Sequence, residues 1–387
     1  MFKKSLIAAA SLAALSSGAF AADISLYGVM DLGFTYTHTS HQDKGDTFEM
    51  SNNMYAGSRF GIKGTENLGD NLKVGFILEN GFAPDTGALA VSGSIFNRES
   101  QLYLQGDWGQ LGFGRVGAFS SGSSSLSWYW DMEPFETGYI DAGVQASQVN
   151  VWRLNSNTIY FVSPTFGGLK FGAQYSLTGE GANTQEAARF SDNNTFANVA
   201  VRWDGANTRA ILGVEWEKFG AAAHNDQNQP VADRDDAWDV KLAGAWSPNG
   251  GPVTLYAGAS WYKNSDQFSD STWGDESFSK LGFNPESGKR LDGYSFFVGS
   301  RYTMGAANWL VMLQYLDGEN KGAMSNATET DYKRYIGSVG CHYYLSKRTM
   351  LYTIASYADG DGLFDNLNDS KTTTDRFMAH VGLTHFF

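Results

Sequence analysis

The apolar positions of this chain recur at every second residue over long stretches, and no helical spacing competes with them. Residues 24–36 put Ile24, Leu26, Met30, Leu32, Phe34 and Tyr36 on one face with Gly28, and Ser25, Tyr27, Asp31 and Thr35 on the other. The pattern returns at 72–78, 169–177, 210–216, 238–246, 253–261 and 294–302. It also closes the chain, where Phe377, Ala379, Val381, Leu383 and His385 alternate with His380, Gly382 and Thr384. A period of two predicts strands with one apolar face. A strand that runs to the last residue needs a partner, because an unpaired edge invites aggregation. The first strand, 24–36, is the expected one, and that pairing would close the sheet on itself.

The apolar rows span about 8–11 residues, longer than the 5–6 usual in globular strands and near the 9–11 of a membrane strand. In several of them an aromatic residue ends the row, as a membrane-interface girdle requires. Short turns are expected near 67–71, 106–109, 164–168, 204–207, 248–252, 304–308 and 345–347, with longer polar segments between them. Seven turns and eight loops join sixteen strands and put both termini on the short-turn side. The predicted fold class is therefore all-β: a 16-stranded antiparallel transmembrane β-barrel with long extracellular loops and short periplasmic turns. The longest unpatterned links are 116–153 and 263–291. The first is serine-rich over 120–127, then aromatic and acidic through Trp128, Tyr129, Trp130, Asp131, Glu133, Phe135, Glu136, Tyr139 and Asp141. Links this long are functional or disordered, and a third loop with so many aromatics is expected to fold into the barrel lumen, where it has surfaces to pack on.

Composition is compatible with such a barrel. Lys3 and Lys4, a short apolar run over 6–15 and Ala19-Phe20-Ala21 form a secretory signal peptide, 1–21, which leaves 22–387 as one barrel domain. After it no apolar run approaches the ~18 residues of a spanning helix. The mean hydropathy of −0.31 suits a barrel whose lumen-facing residues are polar. The net charge of −13 becomes more negative once Lys3 and Lys4 leave, which excludes the basic surface that nucleic acid needs. Most of that charge falls in outer loops, beyond a Debye length of about 8 Å from much of the lumen, so it does not decide ion preference. Cys341 is the single cysteine, so an exported chain has no internal disulfide.

Motifs for other chemistry lack their context. Gly112-x-Gly114-x-x-Gly117 fits the dinucleotide fingerprint, but no helix pattern follows it. His38 and His41 stand in a polar loop without a third ligand in register. Asp359-Gly360-Asp361-Gly362 begins like a calcium loop, yet Leu363 takes a ligand position. The acids of 233–239 read as solvated loop charge. No Gly-x-Ser-x-Gly elbow is present, so no cofactor, no metal and no enzyme activity are expected. A barrel enzyme and a secreted carbohydrate-binding β-protein, the latter suggested by the many Trp and Tyr, are the competing readings.

Several stretches resemble the Gram-negative general porin family, in particular its trimeric β-proteobacterial branch. They are Ser25-Leu26-Tyr27-Gly28-Val29-Met30-Asp31, Ser58-Arg59-Phe60-Gly61-Ile62-Lys63-Gly64-Thr65-Glu66-Asn67-Leu68-Gly69, Leu111-Gly112-Phe113-Gly114-Arg115, Arg153-Leu154-Asn155-Ser156-Asn157-Thr158-Ile159-Tyr160, Ser163-Pro164-Thr165-Phe166-Gly167-Gly168 and the closing Val381-Gly382-Leu383-Thr384-His385-Phe386-Phe387. They fall in the family's order across the mature chain. The resemblance implies an outer-membrane homotrimer, in contact with lipid and lipopolysaccharide, that passes small hydrophilic solutes and ions by diffusion; a substrate-preferring channel is the variant reading. It implies a constriction with a basic wall, for which Arg59, Arg98, Arg115 and Arg153 are the candidates, facing an acidic loop, for which Asp131, Glu133, Glu136 and Asp141 are the candidates. It also makes Phe387 the signal read by the barrel-assembly machinery. Alternation points Arg59 into the lumen. Arg98 shares parity with Leu102 and Leu104, and Arg115 with Leu111 and Phe113. These two reach the pore only across a bulge, or where that wall turns its apolar face inward or into a subunit contact.

Overall fold

A computed structural model describes residues 23–39, 46–122, 124–136, 139, 141–151, 153–177, 194–219, 234–265, 284, 287–325, 327, 329–363 and 375–387. The signal peptide, His41 and Asp233 lie outside them. Among the described residues, sixteen antiparallel strands form one closed barrel wall. They are β1 (Asp23–Thr39), β2 (Thr47–Asn52 continued by Arg59–Gly69), β3 (Leu72–Ala83), β4 (Glu99–Gly106), β5 (Gly109–Gly117), β6 (Leu154–Val162), β7 (Leu169–Ser176) and β8 (Thr195–Asp204). The second half comprises β9 (Thr208–Lys218), β10 (Ala237–Trp246), β11 (Val253–Ser265), β12 (Leu291–Met304), β13 (Ala307–Asn320), β14 (Asp331–Tyr344), β15 (Thr349–Gly362) and β16 (Arg376–Phe386). A short hairpin in the second loop, Ala88–Leu89, pairs with the end of β3. Each expected short turn lies between two of these strands.

The wall closes where β16 pairs with β1, from Val29 opposite Phe386 to Thr39 opposite Arg376. Among the described residues the sheet has no free edge strand to face hydrocarbon, where an unpaired amide or carbonyl costs several kcal/mol. The two faces are inverted relative to a soluble protein. Val381 is 53% exposed on the outside, whereas its neighbour His380 is 2% exposed on the inside. Two aromatic levels bound the outer apolar band. Tyr302, Trp309 and Tyr343 lie at the turn end, and Tyr294, Tyr315 and Tyr335 at the loop end, the last three packed in a row with ring centroids 6.3 and 5.1 Å apart. Tyr294 and Tyr302 are separated by about 27 Å along their strand at ~3.4 Å per residue. At a tilt of ~40° this is about 21 Å of height, close to the apolar band of about 25 Å expected of such barrels.

One strand is interrupted, and the interruption shapes the lumen. The lower half of β1 pairs with Arg59–Gly69 and its upper half with Thr47–Asn52. Residues 53–58 leave the wall between them. The buried carboxylate of Asp31 fills the gap: its Oδ2 accepts from the backbone N–H of Tyr55 and Ala56, both at 2.7 Å, and its Oδ1 from the Tyr352 hydroxyl at 2.8 Å. Asn53, with φ of 63°, turns the chain off the wall toward the lumen, in the left-handed region that Asn tolerates.

Candidate channel constriction

The link between β5 and β6 runs inside the barrel. Phe119, Trp128, Tyr129, Met132, Phe135 and Tyr139 are buried there, and single helical turns at Trp130–Met132 and Val144–Ala146 fold the segment back on itself. The wall is carved to receive it. A Cβ added at Gly172 would fall 2.6 Å from the Phe119 ring, one at Gly213 2.8 Å from Ser120 Cβ, and one at Gly299 2.7 Å from Pro134 Cγ. These inward glycines are the sockets into which the loop packs.

The loop's carboxylates are spent on the wall beneath it. Asp131 takes the Arg202 guanidinium in a two-pronged bond of 2.7 and 2.8 Å, with Arg209 at 3.2 Å. Glu136 pairs with Arg301 at 2.7 Å. Asp141, fully buried, accepts from Arg376 Nε at 2.8 Å and Nη2 at 2.6 Å and from Arg334 at 3.1 Å. Burial alone would raise the Asp141 pKa, but the Arg376 and Arg334 charges outweigh it and hold the carboxyl below the ordinary aspartate value. Glu133 turns inward on its own segment and accepts from the Phe135 N–H at 2.7 Å. The paired wall arginines belong to β8, β9, β12, β14 and β16, so the loop is tied to the half of the barrel that these strands form.

The opposite half keeps an open cavity of about 380 Å³ between the wall and the serine-rich start of the loop. Arg59 and Lys63 of β2, Glu79 of β3, Glu99 of β4 and Arg98 just before β4 line it on the wall side. Glu79 holds the basic pair in place, with Arg98 Nε at 2.6 Å, Arg59 Nε at 3.4 Å and the Tyr27 hydroxyl at 2.9 Å. Arg59 Nη1 donates to the Gly57 carbonyl at 2.8 Å, so the segment 53–58, turned off the wall into the lumen, also fixes this cation. Glu99 is directed to the loop: it accepts from the N–H and the hydroxyl of Ser125 at 2.6 and 2.7 Å. The loop side consists of Gly122, Ser124, Ser125, Ser127 and Trp130.

The structure thus brings Arg59 and Arg98 together and separates them from the other two basic candidates. Arg98 precedes the first paired residue of β4, so the alternation of that strand does not govern it. Arg115 follows Gly114, whose φ is 132°, at a bulge against β6, and donates to the Asn97 carbonyl at 2.6 Å and Ser156 Oγ at 2.8 Å. Arg153 is buried, forked onto Glu217 at 2.7 and 2.7 Å and stacked 4.3 Å from the Phe196 ring centroid. Asp131, Glu136 and Asp141 do not face the cavity. Lys63 went unnoticed in the sequence although it is four residues beyond Arg59 on the same inward parity. The tethering arginines carried the same signal, each at a lumen-facing position of a strand.

Comparison with known proteins agrees with this architecture. A profile of Gram-negative porins matches residues 8–363. An outer membrane porin protein of Bordetella pertussis is 30% identical over 429 residues, covering 100% of both chains. Outer membrane porin protein 32 of Delftia acidovorans is 30% identical over 234 residues, 58% of this chain and 64% of that one. Among solved structures, an anion-selective porin from Comamonas acidovorans superposes with a TM-score of 0.65 at 21% identity, over 95% of this chain and 100% of the other.

Proposed function

This chain belongs to the Gram-negative porin family, and within its channel we propose that the cavity between Arg59, Lys63, Arg98 and the serine-rich loop start is the selectivity constriction, favouring anions. The protein is an outer-membrane porin, a water-filled channel for passive diffusion of small solutes, in a family of non-enzymatic channels. The observation that carries the selectivity reading is the pairing of Asp131, Glu136 and Asp141 with wall arginines away from the cavity. With those carboxylates neutralised, the aperture has cations on its wall and hydroxyls on its loop. Two carboxylates remain, Glu79 bridging Arg59 and Arg98, and Glu99 bound to Ser125. Charge at the narrowest point sets the barrier for a passing ion. The Comamonas relative is itself described as anion-selective, which fits. Arg115 and Arg153 serve as wall supports in this reading.

The finer assignments follow the family. Cleavage after Ala21 releases the barrel 22–387, which assembles as a homotrimer in contact with lipid and lipopolysaccharide, and Phe387 is the residue its assembly machinery reads. Selectivity is tested by reversal potential across a planar bilayer in a tenfold KCl gradient. Wild type should be anion-preferring, and Arg59→Gln should reduce the chloride-to-potassium permeability ratio by up to about thirtyfold, since one charge ~4 Å from a water-like path shifts the two ions by about 1 kcal/mol each in opposite directions. An unchanged reversal potential in Arg59→Gln would remove Arg59 from the constriction.

A further inference from the structure

The same cavity has a second character that an eyelet for hydrated inorganic ions does not need. Three of its linings are apolar or aromatic: Tyr27 and Ile77 on the wall and Trp130 on the loop. Ile77 breaks the pattern of β3, whose other lumen-facing positions below Asn80 are Lys73, Gly75 and Glu79. Tyr27 lies flat on the wall because Gly61 leaves room for its ring, where a Cβ would be 2.6 Å from Tyr27 Cζ. Lys63 Nζ sits 5.1 Å from the centroid of that ring. Trp130 is half-buried, unlike its neighbours Trp128, Tyr129 and Met132, which are buried. The Trp130 ring meets Tyr55 edge-on, with centroids 6.4 Å apart, and also lines the cavity, to which it offers an aromatic surface.

The geometry points to a binding subsite for small aromatic carboxylates, whose carboxylate meets the Arg59, Arg98 and Lys63 cations while the ring lies against Trp130, Ile77 and Tyr27. The cavity volume of about 380 Å³ is at the small end of the ~300–1,000 Å³ usual for ligand pockets. A pocket with convergent cations and apolar facets rewards a planar anion twice, once by charge and once by ring contact. An inorganic anion gains only the first, and a neutral aromatic only the second. The inference rests on the cationic constriction proposed above and names the solute class it prefers.

Purified channels in a planar bilayer test it, with the block of chloride current read against added sodium benzoate, sodium acetate and benzamide. Benzoate should block at a concentration at least about tenfold lower than either acetate or benzamide. Trp130→Ala should raise the benzoate blocking constant by about 3- to 10-fold, the range one aromatic contact supplies, and leave that for acetate within about twofold. Ile77→Thr, which keeps a β-branched shape on the strand, should move it in the same direction and serves if the Trp130 variant yields no channels. Equal block by benzoate and acetate overturns the inference, as does a benzoate constant untouched by both substitutions. A wild-type reversal potential of cationic sign overturns the constriction reading itself, so the two failures are distinguishable.

Discussion

Replacing Asp141 with Ala is expected to free the lumen loop, giving channels of larger and noisier conductance. Asp141 is fully buried and is the meeting point of Arg334 and Arg376 from β14 and β16. Removing it takes the Asp141 carboxylate away from two guanidinium groups in a site closed to water, a loss of about 3–5 kcal/mol when a buried pair is broken. The barrel sheet does not depend on the pair, so the cost falls on the loop. Planar-bilayer recordings should show a raised mean conductance with slow fluctuations, while the heat-resistance of the barrel on a denaturing gel shifts little. Because the penalty comes from cations that have lost the Asp141 carboxylate, adding Arg376→Gln to the Asp141 variant should quieten the channel partly. The pH dependence has a definite sign. The folded Asp141 pKa is depressed, burial being outweighed by the two arginines. Its contribution is therefore complete above the unfolded value of about 4 and is lost as pH falls through the folded one. Wild type should show the loosened behaviour only below about pH 4. A quiet channel of wild-type conductance from Asp141→Ala would mean that the other tethers suffice.

How much of this could be read beforehand depends on which force decides each feature. The strands, the seven short turns and the partnership of 24–36 with the last strand were legible, because hydrocarbon outside and water inside impose alternation on every wall strand. The inward path of the third loop was legible for a related reason, since Trp128, Tyr129 and Phe135 need a surface. What the loop's carboxylates do was not. Asp131, Glu136 and Asp141 read as one acidic stretch, yet each pairs with an arginine 71 to 235 positions further along the chain. Such pairings are fixed by the barrel's circumference, which no local pattern reports. Alternation also stops being a guide where a strand stops: Arg98 lies one residue outside β4, and Arg115 beside a left-handed glycine. The interruption of β2 at 53–58 gave no signal, because its Asn, Tyr and Ser suit a strand edge and a turn alike.

Deletion of Phe387 should lower the amount of porin reaching the outer membrane several-fold, while channels that do form keep wild-type conductance. The residue completes the closure. Its N–H donates to the Gly28 carbonyl and its carbonyl accepts from the Gly28 N–H, each at 3.0 Å. Its ring covers Gly28 so closely that a Cβ there would lie 2.3 Å from Cζ. Yet it adds one rung to a seam that already runs from Val29–Phe386 to Thr39–Arg376, and its ring packs on Gly28 on the outer face of the wall, whereas Tyr27 and Arg59 turn inward to the constriction. A barrel closed without it is therefore open to the same solutes. A loss of one rung and one ring contact is on the order of 1–2 kcal/mol, enough to change cellular abundance several-fold by itself. Two roles thus predict the same deletion phenotype, and Gly28→Val separates them. That substitution displaces the ring, and also presses on the Arg59 carbonyl 2.6 Å from the new Cβ, but keeps the terminal aromatic residue available for recognition. If Phe387 acts as a latch, Gly28→Val should deplete membrane porin as much as the deletion does, measured by quantifying trimer in outer-membrane fractions. If it acts as an assembly signal, Gly28→Val should assemble near wild-type amounts and melt at a lower temperature.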